Sequence, residues 1–271
     1  MVEPLVSVVM PVYNNEKYVA EAIESILNQD YTNFEFIIID DHSKDKSWEI
    51  IQEYAKKDER IITIRNEQNL KIPKTRNKAY RQAKGKYIVI QDGDDVSMPN
   101  RITKQVKFME KNPDYAVLGS DMLVIDGDSK EIGKRSYESD YKKIKKMITR
   151  INPIPQPTVI IRKNIIDKIG YYNEEYVRCS DYDLWIRAAK EYKISILNQY
   201  LVKYRRSDDH GLVKNYDQSL KYTLIIQRKN LLKKDFFNPI NVLYWIFKLP
   251  LIILPKKMVL FILDKFFYRS D

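Results

Sequence analysis

An α/β fold, with a mostly parallel central sheet flanked by helices, is predicted by three features of the sequence. The first half alternates short apolar runs with apolar residues at helical spacing, the links between them are short, and acidic clusters fall where the runs end. Right-handed crossovers between neighbouring strands are the arrangement this alternation favours.

Leu5 to Met10 is an apolar run ending at Pro11, as a buried strand would be. Val19, Ala22, Ile23, Ile26 and Leu27 then recur at helical spacing, with Asn14 or Asn15 placed to cap the start. Phe34 to Ile39 is the second strand, and Trp48, Ile51, Tyr54 and Ala55 mark the second helix. Ile61 to Ile64 is the third strand. A helix from about Thr75 to Lys84 follows, with Gly85 suited to a left-handed C-terminal cap. Tyr87 to Ile90 is the fourth strand.

Beyond Asp95 the pattern loosens. Ile102, Val106 and Met109 predict a helix, Ala116 to Ile125 a strand, and Asp126-Gly127-Asp128 a turn. Pro153, Pro155 and Pro157 make a loop before the apolar run Thr158 to Ile161. Leu184, Trp185, Ala188 and Ala189 are helically spaced, and strands are expected around Ile196 and Val202. This half reads as an addition to the same sheet. From Val242 to Leu263 apolar and aromatic residues dominate, broken by Lys248, Pro250, Pro255, Lys256 and Lys257. The breaks argue against a simple membrane span, which needs about 20 nearly uninterrupted apolar residues. Aromatic residues mixed with lysines suit an interfacial segment over 236–270, and packing against protein is the plainer reading.

The chain has 271 residues, 44% of them hydrophobic and 31% charged, which describes a foldable protein with a sizeable core. Cys179 is the only cysteine and His42 and His210 the only histidines, so intrachain disulfides and thiolate or histidine metal cages are excluded. A metal here would be held mostly by carboxylates, which favours magnesium or manganese. The net charge of +10 calls for a polyanionic partner or surface, or simply reflects surface lysine. No nucleic-acid-binding signature is visible. The short stretch before the first strand leaves no room for a secretory signal, so the expected location is the cytoplasm or the cytoplasmic face of a membrane.

In open parallel sheets, ligands bind outside the carboxyl ends of the strands. Pro11-Val12-Tyr13-Asn14-Asn15, Asp40-Asp41-His42-Ser43 and Asp92-Gly93-Asp94-Asp95 all fall there. Asp92 and Asp94, at i and i+2 on an extended segment, point to one side and suit one divalent ion shared with phosphate oxygens. Gly93 between them suits close approach of a ligand to the backbone. No GxGxxG or Walker-type loop is present. A metal bridging two phosphates, helped by a basic side chain such as Arg76, would take that role and suit a nucleoside diphosphate as leaving group.

These motifs, taken in order, resemble those of family 2 glycosyltransferases. Val8-Val9-Met10-Pro11-Val12-Tyr13-Asn14 is similar to the family opening. Ile38-Ile39-Asp40-Asp41-His42-Ser43 resembles the second-strand motif, and Asp92-Gly93-Asp94-Asp95 the Asp-x-Asp metal motif. Ser180-Asp181-Tyr182-Asp183-Leu184-Trp185 resembles the segment carrying the base, and Tyr204-Arg205 a pair near the end of the catalytic domain. The resemblance spans about Val6 to Arg206. It implies a single GT-A, Rossmann-like domain over 1–210, with a nucleotide-binding half at 1–98 and an acceptor half at 99–210. Residues 211–271 would form a helical, apolar and basic extension.

Carried over by resemblance, Pro11, Tyr13 and Asp41 would line the nucleobase site, beside Asn14. Tyr13 would stack, and Asp41 would accept an imide hydrogen bond that favours a UDP-sugar. Asp94, supported by Asp92, would bind the metal. Arg76 would bring charge to the phosphates or sugar, and Asp181 would be the general base for a glycan or lipid-linked acceptor. In-line attack would then invert the anomeric centre. Four positions depart from the pattern. His42 and Lys71 stand where glycine is usual, Ser180 stands for glutamate, and the histidine expected after Tyr204-Arg205 is replaced by Ser207 or by a longer loop reaching His210. Two other readings remain. One is a silent, membrane-attached subunit that binds nucleotide-sugars. The other, a sugar-1-phosphate nucleotidyltransferase, would call for a glycine-rich, basic loop after the first strand.

Overall fold

The computed structural model describes residues 3–206, 216–252 and 254. One nine-stranded sheet organises the fold. The strands are β1 Val6–Val12, β2 Phe34–Asp40, β3 Ile61–Arg65, β4 Tyr87–Ile90, β5 Val96–Ser97, β6 Tyr115–Ile125, β7 Glu131–Arg135, β8 Ile160–Arg162 and β9 Lys193–Arg205. Their order is β3-β2-β1-β4-β8-β6-β9-β5, with β7 on β6.

The parallel character lies chiefly in the N-terminal half, where β3, β2, β1 and β4 pair in parallel. Helices α1 Val19–Leu27, α2 Ser47–Ala55 and α3 Ile72–Gln82 supply the crossovers. The strand β2 is buried at every residue, as expected for a strand covered on both faces. Antiparallel β8 then docks on β4 and carries the sheet to β6, which runs parallel to β9. The strands after β4 thus continue the same sheet.

Side-chain alternation divides the core. Val8, Met10, Phe36 and Ile38 face α1, α2 and helix α4 Arg101–Lys111. Val9, Ile37 and Ile39 face the opposite way, toward α3, α5 Tyr141–Met147 and α7 Ser180–Glu191. Helix α6 Lys163–Ile169 follows β8. Two further helices, α8 Tyr216–Asn230 and α9 Pro239–Lys248, close the described chain. Ile226 of α8 and Phe236 join the α7-side core. No helix among the described residues is long and apolar enough to cross a membrane.

Two local expectations are corrected. Gly85 is not a left-handed cap; Gly170 alone among the described glycines has positive φ, and α3 ends at Ala83 in extended backbone. A Cβ on Gly85 would stand 2.5 Å from the Ser7 backbone nitrogen, so close approach to β1 is what requires glycine. Neither Asn14 nor Asn15 caps α1 with its side chain. The Asn15 carbonyl accepts the Tyr18 and Val19 N–H groups, and Asn14 Oδ1 accepts the Lys44 N–H across the rim.

Candidate active site

The carboxyl ends of β1 and β2 meet directly, since the Asp41 N–H donates to the Val12 carbonyl at 2.8 Å. The Asn14 N–H donates to Ser43 Oγ at 3.0 Å, tying the two turns again. Pro11, Tyr13, Asn14 and Asp41 are therefore neighbours on one rim. Tyr13 stands 47% exposed there, with its ring presented to solvent.

Asp40 and Asp41 are both buried. Asp40 turns inward, accepting the Ser43 N–H and pairing with Arg65 Nε at 3.1 Å. Asp41 reaches the loop before α3. Its Oδ1 accepts Asn66 Nδ2 and the Leu70 N–H, each at 2.8 Å, and its Oδ2 accepts the Lys71 N–H at 3.0 Å. A carboxylate offers about four acceptor positions, so one on Oδ2 remains for a ligand N–H.

Both residues that stand at glycine positions have left-handed backbone. His42 has φ 65°, and Lys71 has φ 71° with ψ 159°, a region that glycine populates almost alone. Asn14 also has positive φ, at 52°, so three of the five such non-glycine residues among the described residues border this rim. Strain of this kind concentrates where surrounding contacts fix a functional loop.

At the end of β4 the acids are held more loosely. Gln91 Nε2 donates to the carbonyls of Asp92 and Asp95 and shapes the turn. Asp92 Oδ1 pairs with Arg76 Nη2 at 2.5 Å. Burial would lower the Arg76 guanidinium, but Asp92, Tyr172 and Tyr80 outweigh it and keep the group firmly charged. Gly93 is packed by the protein, since a Cβ there would stand 2.8 Å from Asn15 Nδ2 and 3.3 Å from Val12. Its missing side chain lets the β1 and β4 turns approach each other. Asp94 is half-buried. Asp95 is buried and its carboxyl is raised well above the usual range, first by burial and then by the charges of Asp94 and Asp92. Its Oδ2 has no hydrogen-bond partner among the described residues.

Arg205 explains how that turn is held. Fully buried, it donates Nε to the Asp94 carbonyl at 2.8 Å and its N–H to Asp95 Oδ1 at 2.8 Å. Its other nitrogens reach the Asp126 carbonyl, Ser129 Oγ and Glu21 Oε2. The Tyr204-Arg205 resemblance signalled this residue without indicating that it positions the Asp-x-Asp turn.

Asp181 is the second residue of α7; Cys179 occupies the N-cap. Asn152 Nδ2 donates to Asp181 Oδ2 at 2.9 Å. Burial raises the Asp181 carboxyl, opposed by Arg76 and by the first-turn N–H groups. Arg76 is thus paired with Asp92, and its charge also favours the ionised Asp181 carboxyl. Tyr172 lies against its face at 5.9 Å and shares hydrogen bonds with Tyr80 at 2.8 Å and Gln156 at 2.6 Å. Asn152 and Tyr172 carry no signal in the sequence, being single polar residues in irregular segments.

The donor chemistry at the β4 turn fits a hard divalent cation. Asp92 and Asp94 offer carboxylate oxygens on a partly exposed rim, and magnesium-type sites commonly use one or two carboxylates plus phosphate oxygens. No group of three His, Cys, Asp or Glu side chains suited to a metal occurs among the described residues. Ser207 and His210 lie outside the described residues, as does 255–271 of the tail.

The model of the family described as Glycosyl transferase family 2 matches residues 7–170. An uncharacterized glycosyltransferase of Methanocaldococcus jannaschii is 42% identical over 254 residues, covering 90% of this chain and 85% of its own. EpsE of Bacillus subtilis is 35% identical over 240 residues, covering 82% and 81%. Among solved structures, residues 1–349 of S. aureus TarS in complex with UDP-GlcNAc align with TM-score 0.67 at 21% identity, covering 85% of this chain and 68% of that one. The mannosyltransferase PcManGT of Pyrobaculum calidifontis, in complex with GDP-Man and Mn2+, aligns with TM-score 0.64 at 15% identity, covering 96% and 73%. These likenesses establish a GT-A fold. With motifs, sheet and relatives in agreement, this chain belongs to glycosyl transferase family 2.

Proposed function

We propose that the chain transfers a sugar, with inversion, from a nucleoside-diphosphate donor to a hydroxyl of a glycan or lipid-linked acceptor. The observation that carries this reading is the Arg76–Asp92 ion pair at the end of β4, from which Arg76 also favours the ionised Asp181 carboxyl. One cation thereby serves the donor turn and moderates the charge on the base. The fold relatives TarS and PcManGT hold UDP-GlcNAc and GDP-Man, which supports the donor class.

Tyr13 stacks on the nucleobase and the remaining acceptor position on Asp41 takes an imide N–H, a combination that favours uridine. Asp92 and Asp94 would hold magnesium or manganese, which when bound stabilises charge on the departing diphosphate. Arg76 adds fixed positive charge at the same place. Asp181 takes the proton from the attacking hydroxyl, with Asn152 fixing the orientation of its carboxylate. Its raised affinity for protons suits it to that task. Attack from the face opposite the diphosphate inverts the anomeric centre and needs no covalent intermediate.

Calorimetric titration with nucleoside diphosphates and nucleotide-sugars, with and without manganese, tests the reading on wild type and Asp94→Ala. The expected result is manganese-dependent binding of UDP that the substitution abolishes. Absence of nucleotide binding with metal present would refute it. Binding without turnover across acceptors would favour a silent subunit.

A further inference from the structure

Helix α9 is amphipathic in an unusual sense. Asn241, Trp245 and Lys248, at i, i+4 and i+7, face the protein. Asn241 Nδ2 donates to the Lys146 carbonyl and Thr149 Oγ1, Trp245 Nε1 to the Leu224 carbonyl, and Lys248 Nζ to the Arg150 carbonyl. The opposite stripe, Ile240, Leu243, Tyr244 and Phe247, at i, i+3, i+4 and i+7, is exposed, with Phe247 at 77%. A solvent-facing helix normally carries charges there. Nine of the fifteen exposed large hydrophobic residues in the described chain fall between Leu232 and Ile252, so the apolar surface is concentrated, not scattered.

The surroundings of the stripe are basic. Lys142 and Lys146 of α5 are exposed, Lys233 and Lys234 are exposed just before α9, and the Arg150 guanidinium lies 4.8 Å from the Tyr244 ring. A second copy of the chain would set these cations against their own kind, which disfavours self-association through this face. A surface with negative headgroups above an apolar interior complements both features.

We infer that the exposed face of α9, with the basic rim from α5, docks on an anionic phospholipid bilayer. The consequence for the acceptor rests on the transferase reading above. Arg150, which holds Lys248 and lies against Tyr244, is two residues from Asn152, the hydrogen-bond partner of Asp181. Gln227 of α8 also ties the Arg150 carbonyl to the Tyr182 hydroxyl, one residue from Asp181. Docking through α9 therefore sets the base on the bilayer side of the molecule, where a membrane-anchored acceptor hydroxyl is presented.

Flotation of the full chain with vesicles of phosphatidylcholine alone, or with phosphatidylglycerol added, tests the inference. Wild type is expected to float with the phosphatidylglycerol vesicles, at least tenfold more than with phosphatidylcholine, and to be released by high salt. The pair Leu243→Asp and Phe247→Asp should lose binding at least tenfold. Lys142→Glu with Lys146→Glu, which changes two exposed side chains and keeps the Lys146 carbonyl that Asn241 bonds, should remove the phosphatidylglycerol preference. UDP titration of each variant should match wild type, which separates failure of docking from failure of the transferase reading. Equal flotation of wild type and the Leu243/Phe247 variant would overturn the inference. So would a wild-type dimer, seen by sedimentation, that the same variant dissolves without any vesicle binding.

Discussion

The acidic turns after β2 and after β4 are built from the same residue type at equivalent ends of parallel strands, yet the protein treats them differently. Asp40 and Asp41 are held mostly from within: Ser43, Arg65, Asn66, Leu70 and Lys71 supply donors to all but one acceptor position of Asp41. The Asp92 carboxylate pairs with Arg76, and Asp95 keeps a buried oxygen without a hydrogen-bond partner among the described residues. Native proteins rarely leave such an atom unsatisfied unless a function needs it. The first turn is thus a rigid ledge that sets the shape of the rim, and the second depends on Arg76 and Arg205 from outside the turn. The contrast shows that an acid-rich motif is informative only when its internal donors are counted.

The largest expected effect tests the ligand side of the comparison at its far end. Asp181→Asn should lower turnover by about 10²- to 10⁴-fold, the range for loss of a general base, while UDP binding stays within twofold by calorimetry. Because the Asp181 carboxyl is raised, the acid limb of kcat/KM should lie above the ordinary aspartate value of about 3.9. The sign for stability is opposite to that of a salt-bridged acid. A raised folded pKa contributes stability that is fully present below about 3.9 and is lost as pH rises through the folded value. Asp181→Asn should therefore unfold no more easily than wild type at pH 7, and its advantage should vanish in acid. An acid limb at or below 3.9 would remove Asp181 from the base role.

Next comes the direct contrast of the two turns. Asp41→Ala orphans the Leu70 N–H and takes one of two acceptors from the Lys71 N–H and the Asn66 amide, and should cost about 2–3 kcal/mol in urea unfolding. Asp94→Ala should cost less stability than Asp41→Ala, while abolishing metal-dependent nucleotide binding. Equal stability losses would erase the distinction. Arg205→Lys should sharpen it, because the lysine cannot reach Asp94, Asp126 and Glu21 together. About 2–3 kcal/mol of stability is expected to be lost, with weaker metal-dependent binding than wild type.

How much of this was legible follows from where the information lies. The β3-β2-β1-β4 half could be read because apolar runs and helical periods alternate locally, and the acidic turns stood out because they end those runs. The strands β5 and β8, of two and three residues, carry no period of their own and exist through pairing with β9, β4 and β6. The misread glycine, Gly85, fails for the same reason, since the Ser7 backbone that excludes a side chain is 78 residues away in sequence. Asn14, one of the two candidate caps of α1, instead accepts the Lys44 N–H of the neighbouring turn. Asn152 could not be found at all, because its role depends on Asp181 across the fold.

The smallest effect concerns the cost of the rigid ledge. Lys71 holds φ 71° and ψ 159°, which a side chain disfavours by about 1–3 kcal/mol. The strain persists because its N–H is fixed by Asp41 Oδ2 and Asn69 Oδ1, and because Asp41 anchors the neighbouring Leu70 as well. Lys71→Gly keeps those backbone bonds and removes the Cβ clash. It also makes the unfolded chain more flexible, which offsets part of the gain by up to about 1 kcal/mol. A net stabilisation near 1 kcal/mol in urea unfolding is expected, with UDP binding unchanged within twofold. If the glycine variant were instead less stable than wild type, the lysine would have to contribute more through its side chain than its backbone costs. The first turn would then be adapted to lysine, and its rigidity would not come from Asp41 alone.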